Sequence, residues 1–331
     1  DTELAVYTNL NDEQISDFLK LYKIGKLISF TGITEGIENS NFHLKTTSGE
    51  FILTIFEKRV NKRDLPFFID AMIHLSKKDF FCPRPIGDTK DNYLQELLGK
   101  PAIIVNYLQG KSKTKITMED CYKVGSKMAS MHIKTEDYSF ERKNSLSING
   151  WQNLIKECYV TIPNEVLNKI EPNILKEIQD AFDCCVKFWP LNLPKGFIHA
   201  DMFPDNVFFH ENKVSGVIDF YFSCTDILAY DLAIATNAWC FDNDNVFNQE
   251  KYQYLLDGYN TQRKLSANEI FYLPLLSKAA SIRFLLTRLY DWVHTPKDAN
   301  VLPKNPNEYI NKLKYFRKVV EKINYEANSQ L

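Results

Sequence analysis

The sequence lacks the features that would place it in several broad classes of protein. No uninterrupted apolar run approaches the roughly 20 residues that span a bilayer, and the first ten residues lack the charged-then-apolar pattern of a signal peptide. The seven cysteines are scattered and form no Cys-x-x-Cys pair. We therefore expect no zinc site, no disulfide framework and no membrane, and we expect reduced cysteines in a cytoplasmic protein.

An excess of charge of one sign is also missing. The formal net charge is -2, which provides no basic field and argues against nucleic acid as the main partner. Internal repeats and low-complexity tracts are absent from the sequence as well. Hydrophobic residues make up 44% and charged residues 25% of the 331 positions, so we expect a folded protein large enough for two lobes.

The order of the predicted elements divides the chain into a β-rich part and a helical part. Period-two alternation of apolar residues predicts antiparallel strands at 41–46 and 50–56, with a turn at Ser48-Gly49. A helix is predicted at 65–77 and a further strand at 101–107. After Gly110 helices dominate, and short strands are predicted at 197–200, 206–210 and 213–220.

The fold class that follows is α+β. An N-terminal antiparallel β-sheet lobe is predicted for residues 1–105, a hinge for 106–110, and a larger, mainly helical lobe for 111–331. Ligands favour a cleft between two such lobes. We therefore expect nucleotide-binding or substrate-binding residues in both parts of the chain.

The chemistry is concentrated between Phe197 and Phe220. An apolar strand ends in a polar loop that holds Asp201 and, five residues later, Asn206. A hairpin follows, and its returning strand ends at Asp219. Asn206 and Asp219 are therefore expected side by side at one end of the hairpin, where an amide oxygen and a carboxylate suit a hard cation.

These residue types are the ones that phosphoryl transfer requires. The transition state spreads negative charge over phosphate oxygens, and the acceptor hydroxyl needs a carboxylate nearby. We predict that Asp201 is the base, that Asn206 and Asp219 are magnesium ligands, and that His199 supports the loop backbone. The alternative is that the three polar residues are ordinary loop residues or strand caps.

The motif His-Ala-Asp-x-x-Pro-x-Asn, followed by Val-Ile-Asp-Phe, resembles the catalytic and metal loops of a known superfamily. It is similar to the aminoglycoside phosphotransferase and choline kinase group, which shares the two-lobed protein-kinase-like fold. The sequence looks most like the type II homoserine kinases. That closer resemblance covers five blocks of the chain, at 36–42, 51–59, 64–68, 220–226 and 229–234.

The resemblance implies ATP-dependent phosphorylation of the side-chain hydroxyl of L-homoserine, in threonine biosynthesis, with ATP and Mg²⁺ as cofactors. It implies that Asp231 braces the catalytic loop, and that adenine is held at the hinge by Val105, Asn106 and Leu108. Gly36 and Ser40 lie in a loop that would approach the phosphates. An ordinary hairpin turn is the alternative for that loop.

One position departs from the usual pattern of the fold. Kinases of this fold carry a lysine on the third strand for the phosphates, paired with a helix glutamate, whereas this chain has Thr54 and no glutamate at the expected helix position. The joint loss is coherent, because losing one partner would leave an unpaired buried charge. Lys58, Arg59 or backbone N–H groups of residues 34–40 are the candidates to replace the lysine.

An amino-acid acceptor presents an ammonium group and a carboxylate, so its site needs an anion and a cation. We predict Asp226 for the ammonium, Arg283 for the carboxylate, and Tyr221 and Trp239 as pocket walls. Arg283 could equally be a solvated helix residue. His132 is expected to be a helix-terminal or packed histidine without a chemical role.

Two other functions stay open at this stage. One is a kinase for an aminoglycoside, choline or a sugar amine, although the chain shows no concentrated acidic acceptor region. The other is a catalytically silent kinase-like binding module, which the Thr54 departure makes worth considering. The expected partners are a small-molecule acceptor and Mg-ATP, and the sequence does not indicate the oligomeric state.

Overall fold

The protein is described from a computed structural model, which covers residues 8–33, 38–57, 59–297 and 302–328. The strands are β1 Leu27–Ile33, β2 Asn39–Thr46, β3 Gly49–Phe56, β4 Gln95–Leu97, β5 Lys100–Asn106, β6 Lys195–Ile198, β7 Val207–His210, β8 Lys213–Val217 and β9 Cys224–Ile227. The helices are α1 Asp12–Leu19, α2 Leu65–Lys77, α3 Met118–Lys134, α4 Ile148–Thr161, α5 Asn164–Ile170, α6 Ile174–Phe188, α7 Leu228–Trp239, α8 Gln249–Asn260, α9 Ala267–His294 and α10 Asn307–Glu321.

The chain divides into two compact units, and the first is built on a five-stranded antiparallel sheet. The order of the strands is β1-β2-β3-β5-β4. Alternate residues of β2 and β3 point into one core, which also takes the apolar face of α1. This core contains Ile15, Phe18, Leu44, Leu53 and Ile55. The α+β class and the N-terminal antiparallel sheet predicted from the sequence are confirmed.

The first unit is not one continuous stretch of chain. It contains Asp1–Ser112, Asp137–Arg142 and Asn206–Tyr221, so the β7–β8 hairpin belongs to it, although sequence order grouped that hairpin with the helical lobe. Backbone hydrogen bonds explain the assignment. The N–H of Val217 donates to the carbonyl of Phe81 (2.9 Å), and Lys111 and Phe209 exchange two hydrogen bonds.

The second unit contains Lys113–Glu136, Lys143–Asp205 and Phe222–Leu331 and is mainly helical. Its centre is α9, which packs against α7, α10, α6 and α4. By length and composition α9 could cross a membrane, but 67% of its most apolar window is buried inside the protein. That burial is the pattern of a core helix. The strands β6 and β9 form a two-stranded antiparallel sheet beside α7.

Two glycines allow α3 and α8 to pack backbone against backbone. A Cβ atom on Gly258 would overlap the carbonyl oxygen of Tyr122, and one on Gly125 would overlap that of Leu255. The N-cap of α3 is Thr117, whose side chain accepts from the N–H of Asp120 in a reciprocal capping box. Sequence reasoning missed α1, α4, α5, β4 and β9.

Candidate active site

The loop after β6 is held by the carboxylate of Asp231, a buried residue of α7. Oδ2 of Asp231 accepts from the backbone N–H of His199 (2.9 Å), and Oδ1 accepts from that of Ala200 (2.9 Å). The N–H of Asp201 then donates to Nδ1 of His199 (3.1 Å). The loop backbone before Asp201 is therefore fixed from two directions, and His199 supports it through its ring nitrogen.

Ala200 adopts a left-handed backbone conformation, with φ of 65°, which is strained for a residue with a Cβ atom. Nη1 of Arg283 donates to its carbonyl oxygen (2.7 Å). On the other side of Asp201, Nε1 of Trp239 donates to the carbonyl of Met202 (2.8 Å). These side chains bind the backbone on both sides of Asp201 and keep the unusual turn in place.

His132 contributes to the same support, although the sequence gave no sign of it. Its Nε2 lies 2.9 Å from Oδ2 of Asp231, and its Nδ1 lies 2.7 Å from the hydroxyl of Tyr259. Burial raises the pKa of Asp231, but the hydrogen bond and charge of His132 outweigh it, so the pKa is lowered overall. Asp231 is thus held in its ionised form, which accepts hydrogen bonds from the loop.

Asn206 and Asp219 lie at the same end of the β7–β8 hairpin. Val207 pairs with Val217, and the N–H of Ile218 donates to the carbonyl oxygen of Asn206 (2.9 Å). Asp219 has a φ of 62°, so the chain turns sharply as it leaves the hairpin. Asn206 and Asp219 belong to the first unit, and Asp201 belongs to the second.

The donor set at the end of this hairpin suits a hard divalent cation. An amide oxygen and a carboxylate oxygen are ligands that Mg²⁺ accepts, usually together with phosphate oxygens and water. Over the described ranges, no group of three or more His, Cys, Asp or Glu side chains could hold a metal ion. Asn206 and Asp219 would thus supply two oxygen ligands, and the remaining positions on such a cation would be open to other oxygen atoms.

Thr54 lies on β3 where the fold usually carries its lysine. Its hydroxyl donates to Oδ1 of Asn41 (2.7 Å), and the side chain is buried. Tyr221 reaches the same place, with its ring 5.0 Å from that of Phe56. Burial and the nearby charge of Asp219 raise the pKa of Tyr221, and a hydrogen bond with Thr54 opposes the rise. The hydroxyl groups of Thr54 and Tyr221 thus lie together at this position.

A buried ion pair exists elsewhere in the first unit. Oε2 of Glu57 accepts from Nζ of Lys100 (2.6 Å), and Oε1 accepts from the hydroxyl of Ser40 (2.7 Å). Burial raises the pKa of Glu57, but the hydrogen bonds from Lys100, Ser40 and Thr8 outweigh it and lower the pKa. The Ser40 side chain is thus engaged with Glu57. Gly36 and Lys58 lie outside the described residues.

Arg59, the other candidate for the phosphate anchor, forms an ion pair with Glu38. Its Nη1 lies 3.5 Å from Oε1 of Glu38, and its side chain is 46% exposed. A pair of this exposure is a weak restraint.

The predicted hinge follows β5. Val105 is buried and pairs with Ile52 of β3. The N–H of Asn106 donates to the carbonyl of Arg84 (3.0 Å), and its side-chain oxygen accepts from the N–H of Arg84 (2.6 Å). Leu108 packs on Gly216 of β8, where a Cβ atom would lie 2.8 Å from Cδ1 of Leu108. The hinge backbone is therefore ordered by neighbours within the first unit.

The four predicted acceptor residues are divided between the two units. Tyr221 lies in the first unit, and Asp226, Trp239 and Arg283 lie in the second. Oδ2 of Asp226 accepts from Nδ2 of Asn144 (2.9 Å). The Trp239 indole is 1% exposed and braces the loop at Met202. Arg283 is buried, so the alternative that it is a solvated helix residue is wrong.

The sequence matches the model of the phosphotransferase enzyme family over residues 29–265. It is 44% identical to a homoserine kinase of Brucella anthropi over 327 residues, covering 99% of each chain. It is 45% identical over 322 residues to a homoserine kinase of Paramagnetospirillum magneticum, covering 96% of this chain and 97% of that relative.

Solved structures with low sequence identity share the fold. A microcompartment-associated aminopropanol kinase has a TM-score of 0.71 at 15% identity, covering 94% of this chain and 98% of that one. An amicoumacin kinase in complex with AMP-PNP, Ca²⁺ and Ami has a TM-score of 0.69 at 15% identity, covering 96% and 97%. Because the family model covers most of the chain and the curated relatives match along nearly all of it, the protein belongs to the phosphotransferase enzyme family.

Proposed function

We propose that this kinase transfers the γ-phosphoryl group of ATP to the side-chain hydroxyl of L-homoserine. The observation that carries the proposal is 44–45% identity, along nearly the whole chain, to relatives named homoserine kinase. The structural likeness to the amicoumacin kinase and the aminopropanol kinase supports the fold only, because identity there is 15%. The seven free cysteines are consistent with a reducing, cytoplasmic location.

In the proposed reaction, the acceptor oxygen forms a bond to the γ-phosphorus as the bond between that phosphorus and the β–γ bridging oxygen breaks. ADP leaves, and the proton of the acceptor hydroxyl passes to the carboxylate of Asp201. The support for this role is the way the structure holds its loop: Asp231, Arg283 and Trp239 each bind the backbone within two residues of Asp201.

Asn206 and Asp219 are proposed to hold Mg²⁺, which would neutralise charge on the phosphate oxygens when it is bound. Their position at one end of the hairpin supports this role, since both oxygens are presented from adjacent backbone. Asp226 is proposed to bind the ammonium group of the acceptor. Its hydrogen bond to Asn144 orients the carboxylate, and each oxygen keeps further acceptor capacity.

The nucleotide is proposed to bind the first unit. The hinge residues Val105, Asn106 and Leu108 are proposed to hold adenine, as in other kinases of the fold. The loop with Gly36 and Ser40 is proposed to approach the phosphates through its backbone N–H groups. Because the Ser40 hydroxyl donates to Glu57, its side chain is proposed to order the loop base rather than to bind phosphate.

The experiment that tests the function is ATP consumption with a panel of acceptors. Purified protein with Mg²⁺ is assayed with L-homoserine, L-threonine, L-serine, choline and an aminoglycoside. We expect turnover with L-homoserine at a kcat/KM far above that of the other four. Turnover confined to choline or the antibiotic would refute the acceptor but keep the chemistry. No turnover, with no magnesium-dependent nucleotide binding, would instead identify a silent module.

A further inference from the structure

Among the described residues, four buried side-chain polar atoms of the second unit have no hydrogen-bond partner. One is Nε1 of Trp151, and the other three are Nε of Arg283 and the hydroxyl oxygens of Tyr230 and Tyr309, residues that are 3%, 1% and 0% exposed. Over the part of the chain that is described, only five side-chain atoms share this property. Leaving a buried donor unpaired costs about 1–3 kcal/mol, so three in one neighbourhood call for a physical explanation.

Arg283 connects the three residues. Its guanidinium carbon lies 4.3 Å from the ring centre of Phe284 and 5.6 Å from that of Phe222. The ring of Tyr309, on α10, lies 5.6 Å from the ring of Phe284. Aromatic rings thus flank the guanidinium and hold its plane, which leaves its edge to make polar contacts.

The charge of this cation influences the pKa of both tyrosine hydroxyls. Burial raises the pKa of Tyr230, and the charge of Arg283 and a polar contact between the two side chains oppose the rise. That contact lacks the geometry of a full hydrogen bond, so the Tyr230 hydroxyl keeps its capacity to donate. Burial also raises the pKa of Tyr309; Arg288 and Arg283 oppose that rise, and Glu308 and Asp201 add to it. The ring of Tyr309 also lies 6.5 Å from that of Phe203, two residues after the proposed base, so Tyr309 is close to the loop of Asp201.

A guanidinium and two neutral hydroxyls are all hydrogen-bond donors. The ligand that satisfies several convergent donors, one of them cationic, is a carboxylate, because each of its oxygens accepts two hydrogen bonds. The same guanidinium donates through Nη1 to Ala200, the residue before Asp201. Arg283 is thus hydrogen-bonded directly to the residue that precedes the proposed base.

We propose that Arg283, Tyr230 and Tyr309 bind the carboxylate of the amino-acid acceptor. This proposal rests on the proposed function and adds two specificity-determining residues to it. Acceptors with a free carboxylate are favoured over amino alcohols without one, because only the carboxylate satisfies the three buried atoms. The guanidinium would contact the acceptor and the loop of the base together, so a bound carboxylate also helps to align Asp201.

The test compares three single hydroxyl deletions, Tyr230→Phe, Tyr309→Phe and Tyr22→Phe. Tyr22 is the matched control: its hydroxyl is also buried and unpartnered, but it lies in the first unit. Steady-state rates are measured with L-homoserine and with 3-aminopropan-1-ol, which lacks only the carboxylate. We expect KM for L-homoserine to rise about 10- to 100-fold in the first two variants. We expect unchanged kinetics with 3-aminopropan-1-ol, and no change in Tyr22→Phe.

A second measurement does not depend on turnover. L-2-aminobutyrate has the homoserine skeleton without the hydroxyl, and propan-1-amine lacks the carboxylate as well. Their dissociation constants are measured for the wild type and the three variants. Weaker binding of L-2-aminobutyrate in only the first two variants supports the carboxylate site, even if L-homoserine is not phosphorylated. If the dissociation constant of L-2-aminobutyrate is the same in all four proteins, the carboxylate site is overturned. The unpaired atoms would then be assigned to ordered water only.

A purely structural role for the two hydroxyls gives a different pattern. Kinetic losses would then be the same with L-homoserine and 3-aminopropan-1-ol, because the altered loop would affect both acceptors, and that result would also overturn the proposal. Arg283→Lys supplies a further readout. Lysine keeps the charge, but its single ammonium group cannot bind the carbonyl of Ala200 and a carboxylate in the way the guanidinium can. We therefore expect a lower kcat and a higher KM for L-homoserine.

Discussion

Nε2 of His132 lies 2.9 Å from Oδ2 of Asp231, and both side chains are fully shielded from solvent. The same oxygen of Asp231 also accepts from the backbone N–H of His199. A residue on α3 therefore fixes the carboxylate that, in turn, fixes the loop of the proposed base. His132 is a positioning residue three hydrogen bonds from Asp201, through Asp231 and His199, and the sequence alone assigned it no role.

We predict that His132→Ala lowers both stability and turnover. Removing one partner of a buried pair costs about 3–5 kcal/mol, and a misplaced loop lowers kcat by about 10- to 100-fold, with little effect on the KM for ATP. Urea unfolding and steady-state kinetics measure the two effects. The control is His74→Ala, because His74 pairs with the exposed Asp137 and should change stability by about 1 kcal/mol or less. Equal effects of the two substitutions would contradict the role of His132.

The second prediction concerns Asp201. Asp201→Asn keeps the size of the side chain and removes its basicity, so kcat should fall by about 100- to 10,000-fold while nucleotide affinity changes little. Single-turnover kinetics and a nucleotide titration separate the two quantities. Asp205→Asn is the matched control, since Asp205 lies in the same loop with a side chain 66% exposed. Normal turnover by Asp201→Asn would show that another group is the base.

The third prediction concerns Asp219. Its φ of 62° favours asparagine over alanine as a replacement, because asparagine tolerates the left-handed region. A nucleotide at 100 times its dissociation constant stabilises a protein by about 2.7 kcal/mol. In Asp219→Asn, the magnesium-dependent part of that stabilisation should be lost in a thermal-shift experiment with and without Mg²⁺. Glu211→Gln, at the exposed far end of the hairpin, should retain it. If Asp219→Asn retains the magnesium-dependent stabilisation, Asp219 is not a magnesium ligand.

The fourth prediction concerns the packing of α3 on α8. In an open helix, replacing glycine by alanine stabilises the protein by about 1 kcal/mol. At Gly258 the sign should be reversed, because the new methyl group would overlap the carbonyl oxygen of Tyr122. We expect Gly258→Ala to lower the free energy of unfolding by about 1–3 kcal/mol, measured in urea. The neighbouring Asp257→Ala should change it by about 0.5 kcal/mol or less. If Gly258→Ala instead raises the free energy of unfolding, the close approach of the α3 and α8 backbones is contradicted.

Much of the local structure could be predicted because it depends on neighbours in sequence. The helix α2 has the predicted bounds, and a tight turn joins β2 and β3, at Thr47-Ser48 rather than at the predicted Ser48-Gly49. The hairpin also places Asn206 beside the end of β8, as the motif indicated. The missed strand β9 has a physical reason: its four residues pair with β6, and so short a segment carries too little alternation to be recognised.

Sequence by itself determined the family motif, the α+β class and the residue types available for phosphoryl transfer, because each follows from spacing along the chain and from local periodicity. Only the tertiary structure decided which distant side chains support the loop of Asp201. The bond from Arg283 to Ala200 joins residues 83 positions apart, and that from His132 to Asp231 joins residues 99 apart. Such pairs form because helix packing brings the side chains together, and no local pattern encodes their distance. The same packing left Tyr230 and Tyr309 buried beside Arg283 with their hydroxyls unpaired.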